Sequence, residues 1–386
     1  MGSRRIVEIG RYVLLVAIIG GFYFLTGKLG LHFALVHPSI TAIWAPSGIA
    51  LAAFLLFGNK IWPGVYLGAL FVNFATSGAI FPSLGIALGN TLEGLVGCYL
   101  IRKYSTVPKL FERSTNIFTF TIMGAMCSTM VGATIGVMTL ILSGLADWSD
   151  FQLFWYSWWL GDGIGVLVVS PILLLWSSHP FSNWKKREGI EAGLILMLLI
   201  LVGQAVFGHW FSLGFLNYPV AFLCAPILIG ASFRFHQREI ASFNFVLTCL
   251  AVAGTLHGYG PFIRPTKLET ILLLQVFIGI TTIMCMVVSA LTSERRKLIL
   301  ELREMLAHVK TLAGLLPICS WCKKIRNDQG YWQEVEAYIH ERSDVDFSHG
   351  ICPDCLIKYK AEVLEHRRNK RHNDGLSSSR SGMTKG

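Results

Sequence analysis

Charge is what this chain has least of. Asp, Glu, Lys and Arg make up only 15% of its 386 residues, where a water-solvated domain carries about 25%. That shortage excludes an ordinary soluble protein. A mean hydropathy of +0.55 points to lipid as the solvent for most of the chain. Acidic residues are the scarcer sign, 23 against 33 Lys and Arg, for a net charge of +10. A positive balance brings nucleic acid to mind, but its placement argues otherwise. The basic residues sit in short clusters between apolar runs and in the C-terminal part. No nucleic-acid partner is expected; a cationic cytoplasmic face beside anionic lipid accounts for the charge.

The marks of catalysis are missing too. There is no Gly-rich phosphate loop, no Gly-Gly-Asp-Glu-Phe signature and no Ser/His, Cys/His or His-Glu-x-x-His arrangement in the apolar runs. The stretch after Ser293 is too short for a typical nucleotide-binding catalytic domain. The expectation is a protein that is not an enzyme. Arg4 and Arg5 followed by an apolar run look like a secretory signal. No small-residue cleavage site follows, so an uncleaved first span is expected.

What is present is a series of apolar windows near 12–34, 41–57, 61–78, 83–101, 116–143, 152–176, 190–208, 219–233, 240–257 and 269–292. Each approaches the roughly 20 residues that cross a bilayer as a helix. The second, third and eighth are short. With the N-terminus inside, the inner loops hold Lys60; Arg102, Lys103, Lys109 and Arg113; Lys185, Lys186 and Arg187; Arg234 and Arg238; and Arg295, Arg296 and Lys297. The outer loops hold Asp147 and Asp150, with Arg264 and Lys267 as basic exceptions. This alternation predicts an all-α polytopic membrane bundle of eight to ten helices in an inner membrane, both termini cytoplasmic. Trp62, Trp148, Trp155, Trp176, Trp184 and Trp210 fall near window ends, as interface aromatics do. Glycines recur four apart (Gly85 and Gly89, Gly132 and Gly136, Gly161 and Gly165), a spacing that lets helices pack closely. Pro46, Pro63, Pro171, Pro219 and Pro226 are expected to interrupt spans.

Three ionisable residues lie inside the windows: Lys28, Glu93 and Asp162, with His32 one turn from Lys28 and Asn73, Asn90 and Gln204 adding polarity. Ionisable groups in lipid mark functional sites by default. Lys28 paired with Glu93 or Asp162 around a polar cavity makes a ligand or ion site. The same residues also make a structural ion pair with no ligand.

Four blocks follow one another in order. They are Trp44-Ala45-Pro46-Ser47-Gly48-Ile49-Ala50-Leu51-Ala52, then Trp62-Pro63-Gly64-Val65-Tyr66-Leu67-Gly68-Ala69 with Asn73, then Gly89-Asn90-Thr91-Leu92-Glu93, and then Trp159-Leu160-Gly161-Asp162-Gly163-Ile164-Gly165 with Ser170-Pro171. Together they resemble the membrane-associated sensor domain of the first MASE class over roughly the first 295 residues. The resemblance implies a sensor region of the kind that precedes histidine kinases and diguanylate cyclases. It implies no ligand.

After Ser293 the pattern changes. Residues 294–316 read as an amphipathic linker helix with a stripe of Leu298, Leu302, Met305, Val309 and Leu312, ended by Pro317. The stripe suits a homodimer contact or packing on the chain's own tail. His308 lies on this helix, as a phospho-acceptor would, but the residues around it give no acidic partner pattern to support that role. Five cysteines are scattered singly in apolar runs; Cys319, Cys322, Cys352 and Cys355 form two Cys-x-x-Cys pairs in the polar tail. Two tight turns that each present two thiolates make a tetrahedral zinc site with Zn–S near 2.3 Å. One structural zinc per chain is expected, with a redox dithiol and an iron–sulfur cluster as alternatives. His349 is a substitute ligand that a fourth cysteine makes unnecessary. Between the pairs, residues 327–330 read as a turn, and Trp332, Val335, Tyr338 and Ile339 as a helical face.

The segments Gly314-Leu315-Leu316-Pro317-Ile318-Cys319, Cys322-Lys323-Lys324-Ile325-Arg326, Gly330-Tyr331-Trp332 and Phe347-Ser348-His349-Gly350-Ile351-Cys352-Pro353 resemble a short cysteine-paired module that ends many bacterial signalling chains. The expected organisation is a membrane sensor domain over 1–293, the linker helix over 294–316, an α-rich, zinc-ribbon-like module over 317–360 and a disordered basic tail over 361–386. The expected role is a signal sensor in a lipid bilayer, acting on an unidentified cytoplasmic signalling protein. The alternative is a small-solute or ion transporter built around Glu93 and Asp162.

Overall fold

The computed structural model describes residues 2–32, 41–105, 110–178, 186–208, 220–308, 316–327, 329–342 and 345–380. It divides into two compact units, Met1–Ile299 and Leu300–Gly386.

Among the described residues the first unit has only helical elements. Its elements are α1 (Gly2–His32), α2 (Ala45–Phe57), α3 (Trp62–Ser77), α4 (Ile80–Tyr104), α5 (Ser114–Thr119), a π-helical stretch Phe120–Cys127, α6 (Ser128–Leu142), α7 (Phe151–Ser178), α8 (Lys186–Phe207), α9 (Ala225–Arg234), α10 (Gln237–Leu256) and α11 (Lys267–His308). Among the described residues, seven helical stretches are long and apolar enough to cross a membrane: Ile6–His32, Ile80–Tyr104, Ser114–Leu142, Trp148–Ser178, Lys186–Phe207, Gln237–Leu256 and Lys267–Leu306. Each apolar window of the sequence contains a helix where it is described, although residues 41–44 at the start of the second are not helical. The windows that read as short are short here too, at 13 residues in α2, 16 in α3 and the stretch Val220–Arg234. A 13-residue helix spans only about 20 Å at 1.5 Å per residue.

Burial explains why α2 is stable at that length. Every residue from Pro46 to Leu55 is buried, so this helix is apolar all round because protein surrounds it. It packs on α7, α4 and α1. A Cβ on Gly165 would lie 2.0 Å from the Trp44 carbonyl oxygen, so only glycine lets α7 approach so closely. The prolines act differently from expectation. Pro46, Pro63 and Pro226 stand in the first two positions of α2, α3 and α9, where the missing N–H costs nothing. They start helices rather than break them. Pro171 does lie inside α7, and Pro219 falls outside the described residues.

Hydrogen bonds gather the basic helix ends on one face. Tyr12 Oη donates to the Lys60 carbonyl, and Arg102 donates to the carbonyls of Phe54 and Leu55. The Ser114 N–H donates to Glu294, Gln237 to the Phe111 carbonyl, and Arg296 to the Phe233 carbonyl. Arg187 and Arg234 both pair with Glu191. Two interface assignments, Trp184 and Trp210, lie outside the described residues, as do Lys109 and Lys185.

The second unit is small. Strand β1 (Ile325–Arg326) pairs antiparallel with β2 (Trp332–Gln333), and Asn327 Oδ1 accepts from the backbone of Gln329 and Tyr331 to close the turn. Gly330 has φ +88, which glycine adopts without a Cβ penalty. Helix α12 (Val335–Arg342) follows, then α13 (Pro353–Arg380). Two expectations need correction. Trp332 belongs to a strand, not to the helical face, because a two-residue strand is too short to show a period of two in sequence. The chain past 360 is helical to Arg380 where an irregular tail was expected; no proline follows Pro353 to stop a run rich in Lys, Glu, Leu and Arg. Val309 and Leu312 of the linker stripe lie outside the described residues, while Leu298, Leu302 and Met305 are exposed.

Candidate functional site

The bundle core holds two carboxyl groups with no basic neighbour among the described residues. Glu93 on α4 is 2% exposed and Asp162 on α7 is 1% exposed. They stand close enough to interact with each other and with Ser47 of α2. The sequence put both in an intramembrane site, and the structure brings them together. It does not bring Lys28 there. Lys28 is exposed on α1 and its ammonium donates to the Ala75 carbonyl on α3, 3.2 Å away. His32 ends α1 and is exposed, and Gln204 stands on α8.

Small residues make the room. A Cβ on Gly132 of α6 would lie 2.0 Å from Glu93 Oε2, so the carboxyl occupies space that a side chain would fill. The site is framed by backbone bonds: Trp44 N–H to the Gly161 carbonyl (3.0 Å), Ser170 Oγ to the Gly48 carbonyl (2.8 Å) and Gln275 Nε2 of α11 to the Ala42 carbonyl (3.0 Å). Tyr23 of α1, fully buried, accepts from Asn90 Nδ2 at 2.8 Å and meets the Trp44 ring edge-on.

Beside the pair lies a cavity of about 20 Å³, lined in part by Thr41, Trp44, Asn73, Asn90, Trp158 and Asp162. That is room for about one water or ion. Among the described residues, Glu93 Oε2, both Asp162 carboxylate oxygens, Asn90 Oδ1 and Ser47 Oγ have no hydrogen-bond partner. Buried polar atoms are nearly always satisfied. Asp162 and Asn90 line the cavity itself, with Glu93 and Ser47 beside Asp162, and orphans gathered in this way mark the place as one where something binds. Sequence reading missed Tyr23 and Trp158 and took Gly132 as packing alone; a tyrosine or tryptophan in an apolar run gives no signal by itself.

A second feature lies at the basic face. Arg238 and Glu239 open α10, are 8% and 4% exposed, and pair at 2.6 Å, with the guanidinium 4.7 Å from the Trp176 ring centroid. Sequence reading treated Arg238 as a loop charge. Nearby, α11 is tied to α5 through Glu294, which accepts from the Ser114 N–H at 2.9 Å.

In the tail, each Cys-x-x-Cys pair is a preformed turn. The Cys319 sulfur accepts from the backbone N–H of Cys322 and Trp321, and that of Cys352 from Cys355 and Asp354, which lowers both thiols below the usual range. Lys323, at φ +63, turns the chain back so that its N–H reaches the Cys319 carbonyl. Soft thiols on tight turns fit the two halves of a zinc site. The structure keeps those halves apart: among the described residues no three His, Cys, Asp or Glu side chains are grouped closely enough to hold a metal ion.

Comparison with known proteins finds a relative described as "Probable diguanylate cyclase DgcE" from Escherichia coli (strain K12), 22% identical over 252 residues. The match covers 64% of this chain and 22% of that protein, so the chain spans about a fifth of the relative's length. No solved structure matches. Residues 14–296 match the MASE1 family, a membrane sensor domain, and the chain belongs to that family.

Proposed function

We propose that this protein is an inner-membrane signal sensor that receives its stimulus at the Glu93–Asp162 site and passes it, through α11 and the cysteine-bearing tail, to a cytoplasmic signalling protein. The observation that carries the reading is the set of unsatisfied buried oxygens around that pair, inside the MASE1 region. Chemistry without a partner group in the core is the mark of a receptor waiting for a ligand. Most of the described basic loop residues lie at one end of the bundle, with Arg264 and Lys267 at the other, and this bias supports a cytoplasmic assignment for the more basic face and for both termini. In this reading the chain relays and does not catalyse. The exposed Leu298, Leu302 and Met305 on α11 suit a homodimer contact. One zinc ion, held by Cys319, Cys322, Cys352 and Cys355, would draw the two turns together and stabilise the tail; Lys323, Lys324 and Arg326 would offset the thiolate charge.

The test is a chimera in which residues 1–299 replace the membrane region of a diguanylate cyclase. Glu93→Gln or Asp162→Asn should change cyclase output by about fivefold or more, the lower end of typical coupling between sites. Unchanged output in both variants, together with solute flux in proteoliposomes that Asp162→Asn abolishes, would replace the sensor with a transporter.

A further inference from the structure

We infer that the Glu93–Asp162 site holds one monovalent cation, a proton or a sodium ion, admitted from the face of the bundle opposite the basic loops. This rests on the sensor reading for its purpose but not for its chemistry.

The first argument is charge. Two carboxylates in contact inside a low-dielectric core repel each other, and both lose hydration. Among the described residues, the groups facing them are Tyr23 from α1, Ser47 from α2 and the Trp158 indole from α7 itself; α6 offers Gly132. None of these carries positive charge. One bound positive charge turns the arrangement from costly to favourable.

The second argument is the kind of orphan. Among the described residues the unpartnered atoms here are mostly oxygens, Glu93 Oε2, Asp162 Oδ1 and Oδ2, Asn90 Oδ1 and Ser47 Oγ, set against a single unpartnered donor, the Trp44 indole N–H. Asn90 is 3% exposed and lines the cavity with Asp162, so a neutral acceptor and an acidic one converge on the same space. Its Nδ2 donates to Tyr23 Oη at 2.8 Å, which leaves Oδ1 as the unpartnered atom. An excess of acceptors calls for a donor or a hard cation.

The third argument is size and access. About 20 Å³ admits a bare ion or one water and no organic cation. Magnesium keeps several waters, and calcium wants six to eight oxygens, more than converge here. The lining residues Leu31, Asn73, Ile86 and Trp158 lie toward the C-terminal ends of α1 and α3 and the N-terminal ends of α4 and α7. The described basic residues Lys60, Arg102 and Arg113 lie at the other ends of these helices or the next. The ion therefore enters from the non-cytoplasmic side.

The experiment is the unfolding midpoint of the purified full chain in lipid nanodiscs. It is measured in sodium against choline chloride at equal ionic strength, across acid to alkaline buffers, for wild type, Asp162→Asn and Glu93→Gln. A saturable rise of about 3 °C or more in sodium, lost in the variants, identifies sodium. A sodium-independent midpoint whose pH dependence differs between wild type and the variants identifies a proton. Gly132→Ala, which pushes a Cβ against Glu93 Oε2, should lose the same response if a carboxamide variant does not fold. A wild type insensitive to sodium with the pH profile of its variants, or stabilisation by calcium alone, overturns the inference. If the cyclase chimera still responds to Glu93→Gln while no cation effect exists, the receptor stands and the cation falls. The reverse pattern leaves the cation and removes the receptor.

Discussion

The membrane bundle and the tail hold cysteine in opposite ways. In the bundle, the cysteines stand singly: Cys98, Cys224 and Cys285 are buried, Cys127 is half-buried and Cys249 is exposed on an apolar helix. In the tail, Cys322, Cys352 and Cys355 are exposed and Cys319 is half-buried, and each pair sits on a turn whose N–H groups point at sulfur. The contrast follows from core size. The bundle buries dozens of apolar residues, whereas among the described residues of the tail only Ile325 and Tyr338 are buried hydrophobics. A unit with two buried apolar side chains cannot be held by burial alone. One region is ordered by packing; for the other, a bound metal is the proposal.

The sharpest way to break that comparison is to test the tail for the proposed zinc and remove it. Structural zinc supplies about 10–16 kcal/mol to small metal modules. Metal analysis of the full chain should find one zinc, and Cys319→Ser or a chelator should remove it. Amide-exchange protection over 317–360 should then vanish while that of α2 and α7 persists. Wild type without metal, or a reversible disulfide in its place, would sink the zinc proposal and favour a redox pair.

In the bundle, the largest single effect should come from Arg238→Ala. It strands the buried Glu239 carboxylate, and breaking such a pair costs about 3–5 kcal/mol. Denaturant titration in mixed micelles reads it; a change within error would mean that water reaches Glu239. Gly165→Ala should cost about 1–3 kcal/mol, since its Cβ meets the Trp44 carbonyl and backbone gives way less readily than a side chain. An unchanged midpoint would show that α2 and α7 can separate freely.

How much was legible in the sequence depended on whether a residue was out of place for its local solvent. Glu93 and Asp162 stand out because a carboxyl in an apolar run is anomalous, and the cysteine pairs because four thiols at that spacing in a polar tail are. Lys28 stood out equally and misled, because a long side chain near a helix end can reach a backbone carbonyl such as that of Ala75 without entering the core. Tyr23 was invisible, since tyrosine is ordinary in a membrane helix and only the bond to Asn90 gives it a role. The prolines were legible as punctuation but not in sense; Pro46 opens a helix, and that depends on backbone geometry at Trp44. The ten helical windows were readable because length and apolarity are one-dimensional, while the enclosure of α2 is a tertiary fact.

The smallest effect expected concerns the tail's thiols once metal is stripped. Backbone N–H groups of Cys322 and Trp321 hold the Cys319 thiol low, and those of Cys355 and Asp354 do the same for Cys352. A folded-state value below the unfolded one favours the thiolate in the native turn. Its contribution to stability is therefore full above the unfolded thiol's pKa and is lost as pH falls through the folded one. Iodoacetamide alkylation of the chelated chain, followed by peptide mass, should titrate at lower pH for Cys319 and Cys352 than for an unstructured thiol, and denaturant should erase the difference. Identical titration with and without denaturant would mean that the turns do not survive without metal. The tail would then depend on its ligand even for local structure, and the contrast with the self-packed bundle would be complete.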